Sequence, residues 1–401
     1  MPDRPPVSDW SSDFDHTDPR WVDDPFPIWN ELRQQCPVAR TERYGGVYLP
    51  TRYDDVRAIA YDTANFSSRR VVIRENPPNV PLPSPPITSD PPHHKPARML
   101  LLPAFSPQAI SRLVPRTRRI CNELIDDIVD NAACDAAIAY TQHIPVRVIA
   151  YMLGVPEGDG DRFRRWIHVF LEDTIVDGDT QSDARLLATA QEMDDYFRPY
   201  VEARRANPGE DLISFLVQAE HNGAPLTERH LYGTLRLILI AGIDTTWSAI
   251  GSSLWHLAKT PADRARLVAE PALITSAVEE FLRAYAPVTM ARQVVNDVEV
   301  GGCPMRAGKL VMLSFPAANR DPQTFPDADR VVIDRQDNRH AAFGLGIHRC
   351  IGSNLARMEI TVALEEWLQR IPEFRLADPA AVSWSCGSVR GPRALPLVLG
   401  G

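Results

Sequence analysis

Ten residues near the carboxyl end, FGLGIHRCIG from Phe343 to Gly352, set a cysteine among three glycines, a histidine and an arginine. A buried structural thiol behaves as a small hydrophobe and has no use for such neighbours. A cysteine that holds something large and flat, close to the backbone, does. Peptide N–H groups presented by a tight glycine turn at a helix start stabilise an anionic sulfur, and Gly344, Gly346 and Gly352 let that turn approach the bound group.

A second cluster sits in the middle of an apolar run, Ala241-Gly242-Ile243-Asp244-Thr245-Thr246. Asp, Thr and Gly are mediocre helix formers, so their meeting at the centre of a buried helix asks for a functional reason. The Thr245 hydroxyl is spaced to bond back to the carbonyl of Ala241 and bend the helix there. Leu237, Ala241 and Thr245 fall four apart and share one face, with Asp244 to its side. A third pair, Glu280-x-x-Arg283, has the i,i+3 spacing of an ion pair on one helix face.

These groups need positioning, and helical periodicity supplies most of the means. Apolar residues at three- and four-residue spacing predict helices over Ala97–Asn131, His143–Leu153, Gly160–Thr174, Ser182–Ala206 and Asp211–Glu220. From Thr227 to Pro261 the pattern predicts one helix of about 33 residues, near 50 Å long, with a Thr-Glu start and a proline stop. It is apolar on nearly every side at its middle and so must run through the centre of the protein.

Further helices are expected over Pro271–Tyr285 and Ile351–Arg370. Gly45–Asp62 reads as strand, turn and helix, and strand-like pieces lie at Val294–Val300 and Lys309–Ser314. Val71–Pro92 is a proline-rich loop. The fold class is mainly α with small β-sheets, and no repeat or linker divides the 401 residues, so a single domain over 1–401 is expected.

Composition narrows the function. A net charge of -9 disfavours a general polyanion-binding role, and nucleic acid is not an expected partner. Six cysteines with no C-x-x-C pair suggest neither a disulfide framework nor a zinc site, and point to a reducing, cytoplasmic setting. The polar, proline-rich start lacks the pattern of a signal peptide, and no stretch is expected to reach the ~18 apolar residues that span a bilayer, so no membrane partner is expected.

Phe343-Gly344-x-Gly346-x-His348-Arg349-Cys350-x-Gly352-x-x-Leu355-Ala356-Arg357 resembles the haem-thiolate signature of the cytochrome P450 superfamily, and the two other motifs agree in order and spacing. The resemblance covers essentially the whole chain. It implies the cytochrome P450 fold, with haem b between the long central helix and the cysteine loop, and Cys350 as the axial ligand of the iron. Thiolate ligation favours O–O cleavage, which is the chemistry that selects cysteine over histidine at this position.

By the same resemblance His94, Arg98, Arg292 and His348 bind the haem propionates, a charge-assisted pairing, while Phe343, Gly352 and Ala241 adjoin the ring. Asp244 relays protons and Thr245 helps hold dioxygen and its water. Glu280 and Arg283 form a structural triad with a third arginine, for which Arg330 matches best.

Leu237, Ile240, Ala241, Val288, Thr289 and Met290 are expected to line an apolar pocket, with Val71–Pro92 and Asp161–Ser182 as its variable covers. The activity implied is a monooxygenase that inserts one oxygen atom from dioxygen into a hydrophobic small molecule, most often as hydroxylation. The chain has no length beyond the haem segment for a flavin or iron–sulfur domain, so a separate ferredoxin and ferredoxin reductase, with NAD(P)H as electron source, are the implied partners. A peroxygenase driven by hydrogen peroxide and a haem-binding sensor or carrier are the rival readings; the acid–threonine pair argues against both.

Overall fold

The helix predicted through the centre begins where Thr227 accepts a hydrogen bond from the N–H of His230 at 3.2 Å and ends before Pro261, spanning Glu228–Lys259. A computed structural model describes residues 5–74, 82–173, 181–221 and 223–400 of the chain. Leu235, Leu239, Ile243, Ile250 and Leu254 of this central helix are wholly or almost wholly buried and share one apolar core with Ile149, Phe197 and Trp367 from surrounding helices. Gly242 lets the neighbouring helix His143–Leu153 pack closely, because a Cβ there would lie 2.7 Å from Ile149 Cδ1 and push that side chain aside.

Contrary to the expectation from the sequence, this helix is long and apolar enough to cross a bilayer by length and composition. Yet 67% of its most apolar window is buried inside the protein, so packing in the core accounts for its composition.

Two further helices place the chemistry. Ile274–Ala284 carries Glu280 and Arg283, and Ser353–Arg370 starts directly after Gly352, so its N-terminal end adjoins the cysteine loop. Beside them lies a five-stranded sheet in the order Val38–Thr41, Val47–Pro50, Leu310–Ser314, Thr289–Val294, Phe66–Ser67. Its one parallel contact pairs Leu310 with Val47 and Val311 with Tyr48; the other neighbours are antiparallel. A smaller hairpin, Ser383–Trp384 with Pro392–Ala394, packs on the central helix. Gly391 makes that approach possible, since a Cβ there would fall 2.2 Å from Ser248 Cβ.

The helix expected over Ala97–Asn131 is instead a series: His94–Leu101, a 3-10 turn at Leu102–Phe105, Pro107–Ser111 and Val114–Asp126. Pro103, Pro107 and Pro115 each stand at the first or second position of a new segment, where proline is tolerated and a continuing helix is not. The periodicity survives these breaks because each segment turns an apolar face to the same core. Of the two expected pocket covers, residues 75–81 and 174–180 lie outside the described residues.

Candidate functional site: a cysteine loop facing the central helix

The cysteine loop is closed by the N–H of Cys350 donating to Phe343 O at 2.7 Å and the N–H of Gly344 donating to Ala341 O at 2.8 Å. Gly344 and Gly346 both hold the left-handed conformation, at φ of 70° and 68°. Gly346 has a second reason: a Cβ would lie 2.3 Å from Ala60 O, because the loop rests on the end of the helix Tyr53–Tyr61. Gly344 faces the other way, into a cavity walled on one side by this loop and on the other by the central helix.

Cys350 itself has accessible surface, but what it faces is that internal cavity, so its sulfur remains enclosed by the protein. Enclosure raises the thiol's pKa, opposed by the N–H of Gly352 and by the positive charges of Arg98, Arg349 and Arg357. These are the groups that would stabilise the sulfur as an anion once a metal took the place of its proton.

The four basic residues read from the sequence meet at the cavity. Arg98, Arg292 and His348 line it, and His94 stacks edge-on against His348 with ring centroids 4.4 Å apart. None of the four makes an ion pair with a carboxylate among the described residues. Burial and three cationic neighbours hold His348 down to about 3, and burial brings Arg292 to about 10. His94 Nε2 is buried without a partner, while His348 Nε2 meets Ser68 Oγ at 2.8 Å. The guanidiniums of Arg98 and Arg292, enclosed at the cavity with no carboxylate partner among the described residues, call for anions that the protein does not supply, and the unbonded His94 Nε2 is a further buried polar atom that such a group would satisfy. A bare sulfur opposite a helix, glycines that open the loop, and two arginines and two histidines without carboxylate partners among the described residues fit a haem held by one thiolate and two propionates.

Across the cavity, Thr245 Oγ1 donates to Ala241 O at 2.8 Å, as its spacing predicts. Leu237, Ala241 and Thr245 line the cavity together with Ile238 and Gly242, and Val288 and Met290 line it from the sheet side. Two expected lining residues are absent from this wall. Ile240 projects from the flank of the helix stripe into the core, and Thr289, between Val288 and Met290, points to the other face of its strand, where its hydroxyl and N–H both meet Ser388 O.

Asp244 does not face the cavity. It is 1% exposed, and its Oδ2 accepts a hydrogen bond at 3.0 Å from Arg393, a residue that no sequence pattern singled out. Burial raises the Asp244 pKa, and the Arg393 guanidinium opposes the rise.

Glu280 and Arg283 form the expected buried pair, bidentate at 2.8 Å on both oxygens. The third arginine is Arg335, whose Nε donates to Glu280 Oε2 at 3.0 Å, and not Arg330. Arg330 is exposed and lends only its carbonyl, which accepts from Arg283 Nη2 at 2.7 Å. The chain passes Glu280 twice, giving it the N–H of Val332 at 2.8 Å before returning Arg335, and spacing alone does not reveal such a return.

Arg357, seven residues beyond the ligand, is bidentate on Glu279 at 2.6 and 2.9 Å and lies over the Phe343 ring. It therefore buttresses the loop. Arg349 is the exposed cation beside the ligand, with no carboxylate partner among the described residues.

Residues 162–379 match the family model for cytochrome P450. The chain is 38% identical to the mycinamicin IV hydroxylase/epoxidase of Micromonospora griseorubida, covering 92% of this chain and 94% of that protein. It is 37% identical to the nocardicin C N-oxygenase of Nocardia uniformis subsp. tsuyamanensis, covering 93% and 95%. Among solved structures, the myxobacterial cytochrome P450 CYP267B1 in complex with myristic acid superposes with a TM-score of 0.88 at 34% identity, over 96% of this chain and 98% of that one. Motif, fold, buried cations and relatives agree along the chain's length, and the protein belongs to the cytochrome P450 family: a haem-dependent monooxygenase that binds haem b.

Proposed function

We propose that this monooxygenase hydroxylates a hydrophobic small molecule, with electrons passed from NAD(P)H through a separate ferredoxin reductase and ferredoxin. The observation that carries the reading is the acid–threonine pair, set beside the cavity on a helix whose core would otherwise favour apolar residues. When bound, haem supplies the one-electron and dioxygen chemistry. Cys350 holds its iron, and His94, Arg98, Arg292 and His348 hold its propionates. The chain itself binds, orients and moves protons.

Thr245 spends its hydroxyl proton on Ala241 O, which leaves the oxygen's lone pairs to accept from a water in the cavity. Asp244 Oδ1 has no hydrogen-bond partner among the described residues, so it is the atom at which a proton from outside is taken up and passed toward Thr245. Val288, Met290, Leu237 and Ile87 give the cavity an apolar wall, which supports a hydrophobic substrate oriented by shape. A hydroxylase/epoxidase among the relatives supports hydroxylation, and exposed Arg349, with no carboxylate partner among the described residues, supports an acidic electron donor at the cysteine face. The free thiols of Cys36, Cys121, Cys134, Cys303 and Cys350 support a reducing, cytoplasmic setting.

The test is reconstitution with an iron–sulfur ferredoxin, its reductase and NADPH under isotopically labelled dioxygen, using ligands first selected by their shift of the haem spin state. The expected product gains one labelled oxygen atom. Turnover with hydrogen peroxide alone, at an equal rate and with no response to the reductase, would replace this reading with a peroxygenase.

A further inference from the structure

Arg393 is placed between two carboxylates. Its Nη2 lies 2.8 Å from Asp244 Oδ1 and 2.5 Å from Glu172 Oε1, and its Nε donates to the same Glu172 oxygen at 2.8 Å. The guanidinium lies over the Trp247 ring at 4.3 Å, with Nη1 3.4 Å from Ser248 Oγ. Three elements thus meet at one cation: the central helix, the hairpin at Pro392–Ala394 and the short π-helical segment Val169–Asp173. That segment is tied from its other side as well, since Arg74 Nη2 donates to Phe170 O at 2.7 Å.

Arg393 is shared between two carboxylates, Asp244 and Glu172, and Glu172 also meets His168, whose Nδ1 lies 3.3 Å from its Oε2, so Asp244 competes for the guanidinium in a place that is 1% exposed at Asp244 and 17% at Arg393. Burial and the charge of Glu172 favour its neutral form, and Arg393 is its nearest opposing charge. Oδ1 lies within ion-pair distance of Nη2, at 2.8 Å, but receives no aligned hydrogen bond, because the N–H points to Oδ2.

We propose that Arg393 is a positioning residue for proton delivery: it keeps Asp244 an ionised carboxylate with Oδ1 unbonded, and its second tie, to Glu172, makes that hold depend on the placement of Val169–Asp173. A relay must start as a base to take up a proton and must then release it. Without Arg393, Asp244 takes up a proton and keeps it. The kinetic part of this inference rests on the proton role proposed for Asp244; the electrostatic part does not.

Infrared spectroscopy of the substrate-free holoenzyme separates the two. Arg393→Gln is expected to add a protonated-carboxyl carbonyl band at neutral pH that wild type lacks and that Arg393→Gln/Asp244→Asn loses again. A variant with an intact thiolate-type carbon monoxide spectrum and no such band, or a band that survives in the double variant, overturns the inference. In turnover, Arg393→Gln is expected to lower product per reducing equivalent by about fivefold or more, and the double variant to fall no further than Asp244→Asn alone.

Arg393→Lys, which keeps the charge, is expected to show no band and coupling within about twofold of wild type. A lysine variant uncoupled as badly as Asp244→Asn overturns the charge argument, and this comparison holds even where the glutamine variant does not fold. Glu172→Gln leaves Arg393 to Asp244 alone, so the solvent isotope effect on kcat is expected to rise; an unchanged effect removes the link to Val169–Asp173. Should Asp244→Asn couple normally while the infrared result stands, the proton role falls and the electrostatic one remains.

Discussion

Thr245 has its hydroxyl fixed by a 2.8 Å bond to Ala241 O and its remaining lone pairs turned to the cavity. Thr245→Ala removes the polar atom without disturbing the stripe of small residues around it. Substrate affinity is therefore expected to hold within about twofold while product per NADPH falls at least about fivefold and hydrogen peroxide appears in its place. Coupling near wild type would sink the role assigned to the hydroxyl. At this scale the sequence was legible where spacing is local: Cys350 with its glycines, and Thr245 with the carbonyl one turn back, are readable from neighbours in the chain. Arg393 and Arg335 were not readable, because each reaches its carboxylate through a chain reversal that leaves no periodic trace.

The helix Ile274–Ala284 and the irregular segment after it depend on one another through Glu280, which is fully buried and accepts from Arg283, Val332 and Arg335. Because Arg335 brings its guanidinium and Arg330 only its backbone, Arg335→Ala is expected to cost about 2 kcal/mol of stability. Arg330→Ala is expected to stay within about 0.5 kcal/mol. Urea unfolding of the two variants distinguishes them, and equal losses would contradict the observed triad.

Gly346→Ala meets two obstacles, a positive φ and the Ala60 carbonyl, so the cysteine loop must lift from the helix Tyr53–Tyr61. Strain of about 1–3 kcal/mol is expected to appear as a lowered haem-to-protein ratio on purification. Full haem content would show that the loop tolerates the shift. Element types were mostly legible from periodicity, and the central helix was legible almost to its ends. The breaks at Pro103, Pro107 and Pro115 were missed because apolar spacing outweighed the proline signal, and two- and three-residue strands such as Phe66–Ser67 and Pro392–Ala394 are too short to alternate visibly.

Across the molecule, acid sensitivity should have an identifiable source at the cysteine face. Burial alone would raise Glu279, but hydrogen bonds from His340 and Arg357 outweigh it and bring its pKa to about 2. A carboxylate depressed in the folded state contributes stability above its unfolded value, about 4.3, and loses that contribution as pH falls toward 2. Glu279→Gln is thus expected to unfold at lower urea than wild type at pH about 6, with the gap closing as pH falls to about 3. A gap that stays constant or widens in acid would place the stabilising charge elsewhere.

The parallel pairing of Leu310 with Val47 has a temporal meaning as well. A ribosome adds roughly 260 residues between Pro50 and Leu310, which at about 5–20 residues per second leaves the early hairpin's edge waiting some 13–50 s for its partner. Cys350 emerges later still. The edge of Val47–Pro50 therefore stays without this neighbour until Leu310–Ser314 has been made, and capture of the prosthetic group at Cys350 cannot begin before that strand has emerged.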